Sequence, residues 1–384
     1  MMKITEGSHA VAEIVAFCRP QVVSAYPITP QTHIVEALAE MVADCKLDAE
    51  YITVENELSA LSACIGASAA GSRVYSATTS QGLALMYEAC FNAAGMRLPI
   101  IMSIANRAMG APLSIWNDQQ DSISLRDSGW LQFYAEDNQE ATDLHVIAYK
   151  VAEDHSVLLP AMVCFDGFIL SHTYEPVDML SQEDVDKYLP KFNPYEKLDA
   201  ADPISFGMYA TPDYYHEFRY EIDNAVKRAG GVIKKAGKEF GTMFGRDYSS
   251  MTEEYRMEDA DTAIVAMGSV CGTIKDAIDE MRASGKKVGL VRIRVFRPFP
   301  SGDIAKALSK AKRVAVLDKN ISLGAKGATA IEVKDAMYGK ATPILNYIIG
   351  LGGRDVRKRD IAAIVALAEK GEGDMFYGLR KEVL

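Results

Sequence analysis

Runs of apolar, often β-branched residues alternate with stretches of helical periodicity along this chain of 384 residues. In the first part of the chain, strands are predicted at residues 21–26, 49–54, 72–78, 98–105 and 159–165. The stretches between them place apolar side chains on one face of a helix. Strands that alternate with helices are typical of βαβ units, so we expect an α/β domain with a parallel sheet over residues 1–180.

The alternation breaks over residues 181–258. A polar stretch with several prolines comes first, and DYYHEFRYEIDNAVKRAGGVIKKAGKEF then predicts a long helix that carries aromatic residues. Strand and helix patterns resume at DTAIVAMG and continue through RVAVLD and ILNYIIG. We therefore expect a connector at 181–258 and a second, smaller doubly wound α/β domain at 259–384.

Composition and charge exclude several classes of protein. With 49% hydrophobic and 24% charged residues, the chain is typical of a globular protein with room for two cores. It has no run of 18 apolar residues and no recognisable signal peptide, so we expect no membrane span and a cytoplasmic location. The net charge of −11 argues against a nucleic-acid surface, which needs clustered Lys and Arg.

The cysteines and histidines give no sign of a metal site. None of the six cysteines forms a Cys-x-x-Cys pair, so ligands for zinc or an iron-sulfur cluster are missing at usable spacing. His33, His155 and His172 are isolated in the sequence. We therefore expect no metal ligand in this chain, and we expect any redox cluster that it needs to lie on another chain.

Polar and conformationally restricted residues follow four of the predicted strands. They are YPITP (26–30), ENE (55–57), TTSQG (78–82) and NRAMGAPLSIWNDQQD (106–121). Ligands of open parallel sheets bind beyond the carboxyl ends of the strands, so these segments predict a site in the first domain. The segments GSVCG and GLGGR are more typical of tight turns than of a phosphate site.

The YPITP segment has two interpretations. Thr29 and Pro30 fit the N-cap and the first residue of a helix. Alternatively, Pro27 holds an extended turn in which Tyr26 and Thr29 present their hydroxyl groups at the edge of the sheet. The two interpretations do not exclude each other.

Glu57 and Arg107 also have a structural and a functional interpretation. Glu57 begins an Ala-rich helix, where the positive helix end stabilises a carboxylate; beside a ring-sized ligand it could instead exchange a proton. Arg107 cannot be neutralised and needs an anion. That anion is either a protein carboxylate, Asp118 or Asp121, or a small carboxylate ligand such as a 2-oxoacid.

Several longer motifs resemble a known family. They are YPITPQTHIVEALAE, VENELSALSACIGASAAG, SQGLALMYEA, NRAMGAPLSIWNDQQDS, DGFILSHTYEP and VFRPFP. In order and spacing they resemble the alpha subunit of the 2-oxoacid:ferredoxin oxidoreductases, most of all its pyruvate-using branch, the pyruvate synthases. The resemblance implies a domain like the pyrimidine-binding domain of thiamine diphosphate enzymes, followed by one like the C-terminal domain of transketolase.

The same resemblance implies a cofactor and roles for single residues. Thiamine diphosphate would be shared with a beta subunit that holds the diphosphate, Mg²⁺ and an iron-sulfur cluster, since this chain lacks a G-D-G…N signature. Glu57 would hydrogen-bond the aminopyrimidine ring and take part in catalysis. Thr29 and Arg107 would bind the 2-oxoacid, as substrate-binding and catalytic residues. Tyr26 and Pro27 would line the cofactor pocket, with Tyr26 also facing the substrate.

The implied reaction is reversible: pyruvate, coenzyme A and oxidised ferredoxin give acetyl-CoA, carbon dioxide and reduced ferredoxin. Gamma and delta subunits are further expected partners. Three alternatives stay open. The substrate could be 2-oxoisovalerate or 2-oxoglutarate, the chain could be the beta chain of a 2-oxoacid dehydrogenase first component, or it could be a non-catalytic scaffold.

Overall fold

A computed structural model describes residues 2–384 of the chain. The strands in this part of the chain are β1 (Met2–Glu6), β2 (Val22–Ser24), β3 (Glu50–Ile52), β4 (Val74–Thr78), β5 (Ile101–Asn106), β6 (Leu131–Tyr134), β7 (Ala161–Asp166), β8 (Tyr174–Asp178), β9 (Thr252–Tyr255), β10 (Thr262–Ala266), β11 (Val288–Ile293), β12 (Val295–Arg297), β13 (Arg313–Asp318), β14 (Ile344–Ile348) and β15 (Met375–Phe376). They form one sheet of seven strands, one of six and one of two.

Helices connect most of the strands. They are α1 (Gly7–Phe17), α2 (Thr32–Ala43), α3 (Glu57–Ala69), α4 (Ser80–Leu85), α5 (Tyr87–Gly95), α6 (Gln120–Ser124), α7 (Asn138–Ala152), α8 (Gln182–Tyr188), α9 (Pro212–Phe244), α10 (Val270–Ala283), α11 (Ser301–Ala307), α12 (Ala328–Ala336) and α13 (Lys358–Glu369). None of the helices within residues 2–384 is both long and apolar enough to cross a bilayer.

The seven-stranded sheet has the order β12-β6-β7-β5-β4-β2-β3. All of its pairs are parallel except β12 with β6. Helices α1, α2, α7 and α9 supply one apolar core on one face, and α3 and α5 supply another. The five strands predicted in this half are present, and β6 was not predicted. This arrangement confirms the expected doubly wound parallel sheet.

The six-stranded sheet has the order β15-β14-β13-β10-β11-β9, with only β9 antiparallel to its neighbour. Helices α10 and α13 cover one face. The other face, with α11 and α12, belongs to the same apolar core as α3 and α5. The two sheets are therefore joined through a shared hydrophobic layer.

The connector contains the predicted long helix, α9, which spans 33 residues. Pro212 occupies its first turn, and Gly245 ends it with a left-handed φ of 77°, a conformation that glycine adopts without a steric penalty. Strand β9 lies in the connector region but pairs with β11 in the second sheet, whereas β12 returns to the first sheet. The domain limits at residues 180 and 258 stay a prediction.

Charged side chains pair where α7 meets the second sheet. Arg292 donates two hydrogen bonds to the Glu140 carboxylate, at 2.5 and 2.9 Å, and Arg294 Nε donates a third at 2.5 Å. Arg292 also donates to Glu253, at 2.6 Å, and lies 3.2 Å from Glu136. Burial alone raises the pKa of Glu140, but the charges of the two arginines lower it to about 2. We call these five residues the seam network.

Candidate active site

Three neighbouring strands, β2, β4 and β5, bring their carboxyl ends to one edge of the first sheet. Thr29 follows β2, Thr78 ends β4, and Arg107 follows β5. The sheet order thus collects the predicted segments 26–30, 78–82 and 106–121, which lie far apart in sequence. This edge is where ligands of a parallel sheet are expected to bind.

Arg107 makes a direct contact with the YPITP segment. Its Nη1 donates to the Thr29 carbonyl oxygen at 2.9 Å, and its Nε donates to the Ser114 carbonyl oxygen at 3.1 Å. Only 6% of Arg107 is exposed, and burial lowers the pKa of its guanidinium. Its Nη2 has no hydrogen-bond partner within residues 2–384. Arg107 therefore combines a buried charge with a free donor.

The prediction that Arg107 could form an ion pair with Asp118 or Asp121 is wrong. Asp121 is 2% exposed and accepts the backbone N–H groups of Arg107 and Ser80, both at 3.0 Å. The Asn106 side chain donates to it at 2.7 Å. Burial raises the pKa of the Asp121 carboxyl, although these bonds oppose the shift. Asp121 thus fixes the main chain at the ends of β4 and β5 without neutralising the guanidinium.

The N-cap interpretation of Thr29 is also wrong. Helix α2 begins at Thr32 with Gln31 in the N-cap position, and no side chain caps it. Gln31 Nε2 instead donates to the Tyr26 carbonyl oxygen at 2.7 Å and to the Ala77 carbonyl oxygen at 3.2 Å, which ties the segment to β4. Tyr26, Pro27 and Thr29 are exposed at this edge of the sheet, as the second interpretation predicted.

Glu57 is the first residue of α3, whose N-cap Asn56 accepts the Ser59 N–H at 2.9 Å. Its side chain is nearly buried, with 7% of the residue exposed. No hydrogen bond or ion pair within residues 2–384 satisfies the carboxylate. A carboxylate in this state gains a hydrogen bond from any ligand that offers a donor.

Gly82 and Thr78 complete the surroundings of Glu57. A Cβ atom on Gly82 would lie 2.6 Å from both Glu57 Oε1 and Thr78 Oγ1, so only glycine fits there. Thr78 Oγ1 is itself buried without a hydrogen-bond partner. The Glu57 carboxylate can accept a hydrogen bond from a polar ligand, and the Thr78 hydroxyl can donate or accept one.

The two glycine-rich segments of the second half both contact the first half. The prediction that they are tight turns is only partly right, because residues 270–272 of GSVCG begin α10 and Leu351–Gly353 of GLGGR form a 3-10 helix. In GSVCG, the Ser269 N–H and hydroxyl donate to the Asp166 carboxylate, at 3.2 and 2.5 Å, so this N–H faces an anion of the protein itself. In GLGGR, the Gly352 N–H donates to Asp118 at 3.0 Å. Lys319 donates to Asp166 at 3.1 Å. The second half thus supports the loop that carries Arg107.

The prediction that the histidines are isolated is wrong for two of them. His33 and His172 lie with their ring centroids 4.7 Å apart, and each offers a ligand atom close to the Glu6 carboxylate. His155 lies elsewhere, with Nε2 2.9 Å from the Asn193 carbonyl oxygen. The sequence held no local signal for the His33–His172 contact, because it depends on how α2 and the β7–β8 loop pack.

Two family models match the chain. The first, described as pyruvate flavodoxin/ferredoxin oxidoreductase, thiamine diphosphate-binding, covers residues 14–238. The chain belongs to this oxidoreductase family. The second model, described as pyruvate:ferredoxin oxidoreductase core domain II, covers residues 260–361. Membership in the pyruvate flavodoxin/ferredoxin oxidoreductase family confirms the predicted family and enzyme class, and the part described as thiamine diphosphate-binding carries Thr29, Glu57 and Arg107.

Several relatives match over almost the whole chain. Pyruvate synthase subunit PorA of Methanothermobacter thermautotrophicus is 53% identical over 383 residues, covering 100% of this chain and 99% of its own. Subunit PorA of Methanocaldococcus jannaschii is 53% identical over 385 residues, covering 99% and 98%. Ketoisovalerate oxidoreductase subunit VorA of Pyrococcus horikoshii is 52% identical over 365 residues, covering 94% and 92%. The names of these family members describe subunits, so they imply further chains in their assemblies.

Two solved structures share the fold of this oxidoreductase-family chain. A 2-oxoglutarate:ferredoxin oxidoreductase from Magnetococcus marinus has a TM-score of 0.74 at 20% identity, and the match covers 95% of this chain and 65% of that one. A split-gene transketolase has a TM-score of 0.58 at 11% identity, covering 96% and 99%. At these identities the likeness shows the fold alone. It agrees with the predicted pyrimidine-binding and transketolase C-terminal-like architecture.

Proposed function

We propose that this chain is the alpha subunit of a multi-subunit pyruvate:ferredoxin oxidoreductase, or pyruvate synthase. The complex would convert pyruvate and coenzyme A to acetyl-CoA and carbon dioxide, with reduction of ferredoxin, and would also run in reverse. The relatives named pyruvate synthase subunit PorA support this choice, since they match at about half identity over their full length.

The observation that carries the proposal is the state of Arg107. A buried guanidinium without an ion pair is costly, because the charge of Asp121 offsets only part of its desolvation. Its free Nη2 donor suits the carboxylate of a 2-oxoacid. Because Nη1 bonds to the Thr29 carbonyl, the same guanidinium fixes the main chain of the residue whose hydroxyl we assign to the keto oxygen.

Glu57 is our candidate for the contact with the cofactor. Thiamine diphosphate, when bound, supplies the nucleophilic carbon and the electron sink for decarboxylation of a 2-oxoacid. The Glu57 carboxylate, which packs closely against Gly82, would hold a proton against the aminopyrimidine ring. Tyr26 and Pro27 would line the pocket from the YPITP side, with Tyr26 also facing the substrate.

Partner chains would complete this site. We assign the diphosphate and Mg²⁺ to a beta subunit. We assign the iron-sulfur clusters to the partner chains, which would also include gamma and delta subunits. Ferredoxin would be the electron acceptor. The cysteines support this assignment, because all six are free and five of them are buried in cores. We assign the complex to the cytoplasm, as the sequence analysis predicts.

A second candidate differs only in substrate. The VorA relative, named for ketoisovalerate, is 52% identical to this chain, so overall identity does not separate the two substrates. In this alternative, the Arg107 contact with the carboxylate stays the same and only the volume around the substrate's side chain changes.

A substrate comparison on the purified complex tests the proposal. The assembled complex is kept anaerobic and assayed for coenzyme A-dependent reduction of viologen with pyruvate, 2-oxoisovalerate and 2-oxoglutarate. We expect the highest kcat/KM with pyruvate. A preference for 2-oxoisovalerate would favour the second candidate. Transfer of the acyl group to a lipoyl domain without viologen reduction would contradict both and favour a dehydrogenase component.

A further inference from the structure

A side-chain cluster outside the proposed active site brings together Glu6, His33 and His172. Glu6 ends β1, at the start of α1. His33 lies in the first turn of α2, four residues after Thr29, and His172 lies in the loop between β7 and β8. The antiparallel pairing of β1 with β8 sets Glu6 opposite Tyr174, two residues after His172, which explains how the segments meet.

The polar atoms of the three side chains converge. His33 Nδ1 lies 2.6 Å from Glu6 Oε1. One ligand atom from each of Glu6, His33 and His172 lies within 4.8 Å of the other two. A fourth side chain, His9, reaches the same carboxylate, with Nδ1 3.6 Å from Glu6 Oε2, and its ring stacks on His33 with centroids 5.9 Å apart.

A second layer of contacts holds the cluster. Ser171 Oγ lies 2.7 Å from His172 Nδ1, which leaves Nε2 as the nitrogen available to a ligand. The same Ser171 oxygen accepts the Phe168 N–H at 2.8 Å, and Ser8 Oγ donates to the Ser171 carbonyl at 2.8 Å. Metal-binding histidines are commonly oriented by such a partner on their other nitrogen.

The chemistry of the set is that of a transition-metal site. Two imidazoles and one carboxylate are donors that Zn²⁺ takes with bonds of about 2.0–2.2 Å, leaving a fourth position for water or another ligand. A Glu6–His33 hydrogen bond alone would account for one contact. It would not account for the convergence of His172 and His9 on the same carboxylate.

We propose that Glu6, His33 and His172 bind a divalent transition-metal ion of the zinc class. The ion would replace the hydrogen bond between His33 and Glu6. It would join three segments that are otherwise distant in sequence: the β1–α1 junction, the start of α2 and the β7–β8 loop. Since α2 begins directly after the YPITP segment, the ion would also stabilise one side of that segment.

Zinc titration of the full chain tests this proposal. The chain is stripped of metal with a chelator and titrated with Zn²⁺ alone, and bound zinc is measured by mass spectrometry after removal of free ion. We expect about one tightly bound Zn²⁺ per chain, and about a tenfold or greater loss of affinity in each of His33→Asn and His172→Asn. His155→Asn is the matched control and should bind zinc like the original chain.

Two further measurements keep the test decisive. Circular dichroism verifies that each variant is folded. If a histidine variant unfolds, the zinc affinity is measured instead in Glu6→Gln, which keeps the size of the side chain. Zinc-edge X-ray absorption should show nitrogen and oxygen ligands at about 2.0–2.1 Å. Unchanged zinc affinity in the folded histidine variants, no retained zinc in the original chain, or sulfur ligands at the zinc would each overturn the proposal.

Discussion

Arg292 in the seam network and Arg107 at the sheet edge are both buried, with 2% and 6% exposure, yet their surroundings are opposite. Arg292 contacts three carboxylates, those of Glu140, Glu253 and Glu136. Within residues 2–384, the Arg107 guanidinium donates hydrogen bonds to the carbonyl oxygens of Ser114 and Thr29 and forms no ion pair. The first charge is paired with carboxylates of the chain, whereas the charge of Asp121 offsets only part of the desolvation of the second.

The difference separates a charge that is paired within the chain from a charge that has no ion pair. A buried ion pair contributes to a defined packing, and losing one partner leaves an uncompensated charge. A buried charge without a counterion lowers stability and is a common sign of a functional site. By the same reasoning, Glu57 belongs with Arg107, whereas Glu140 belongs with Arg292.

The largest expected effect is on catalysis. In the assembled complex, Glu57→Gln should lower kcat with pyruvate about 10²- to 10⁴-fold, because the amide cannot exchange a proton with the cofactor ring. Thermal stability should stay the same or rise, since an unpaired carboxylate is removed. Glu55→Gln, two residues away and exposed, is the control and should keep full activity. An active Glu57→Gln variant would contradict the assignment.

The second effect is on stability. Glu140→Gln should lower the free energy of unfolding at pH 7 by about 3 kcal/mol, since the pKa of Glu140 falls from 4.5 to about 2 on folding. Because this pKa is depressed, the contribution is complete above pH 4.5 and is lost as the pH falls towards 2. Denaturant titration across this range measures it.

A control for Glu140 is available on α9, where Asp223 pairs with Lys227 at the surface. Asp223→Asn should leave the free energy of unfolding unchanged, because exposed pairs contribute little. Equal losses in the two variants would remove the distinction between the seam network and a surface ion pair.

The third effect is on substrate affinity. Arg107→Lys keeps the charge but loses the planar fork of donors. Loss of one hydrogen bond to a charged group corresponds to about 1.5–3 kcal/mol, so KM for pyruvate should rise about 10- to 100-fold. The free energy of unfolding should change less than in Glu140→Gln. Steady-state kinetics measure this rise, with Arg126→Lys as control. An unchanged KM would show that the guanidinium does not bind the substrate.

The smallest effect concerns Asp118, which lies in the segment that follows Arg107. Within residues 2–384 its hydrogen-bond donors are the backbone N–H groups of Gln120 and Gly352. Burial raises the pKa of Asp118 from 3.8 to about 6. The folded state therefore binds more protons than the unfolded state between these values, and the free energy of unfolding should fall as the pH rises through this window.

Asp118→Asn should abolish this pH dependence and raise the free energy of unfolding at pH 7.5 by roughly 1–2 kcal/mol. Urea titrations at several pH values measure the difference. Asp127→Asn, at an exposed position, should show no such change. If the free energy of unfolding depended on pH in the same way in Asp118→Asn and Asp127→Asn, Asp118 would not carry a buried charge.

The sequence predicted the parts of the fold that local patterns determine. Strands β2, β3 and β5 appear where they were predicted, and Thr29, Glu57 and Arg107 follow them in that order along the chain. Contacts between distant segments left no local pattern. Asp121, Gln31 and the Glu6–His33–His172 cluster depend on the order of strands in the sheet, and β6 is too short and too polar at Gln132 to stand out.

The path of the chain between β11 and β12 has a mechanical consequence. Only Arg294 separates the two strands, yet β11 lies in the second sheet and β12 pairs with β6 in the first. A hinge opening between the sheets would have to break that pairing, because one residue gives no slack. The two halves should therefore move as one rigid body, and access to the sheet edge would then be controlled by whichever chain covers it.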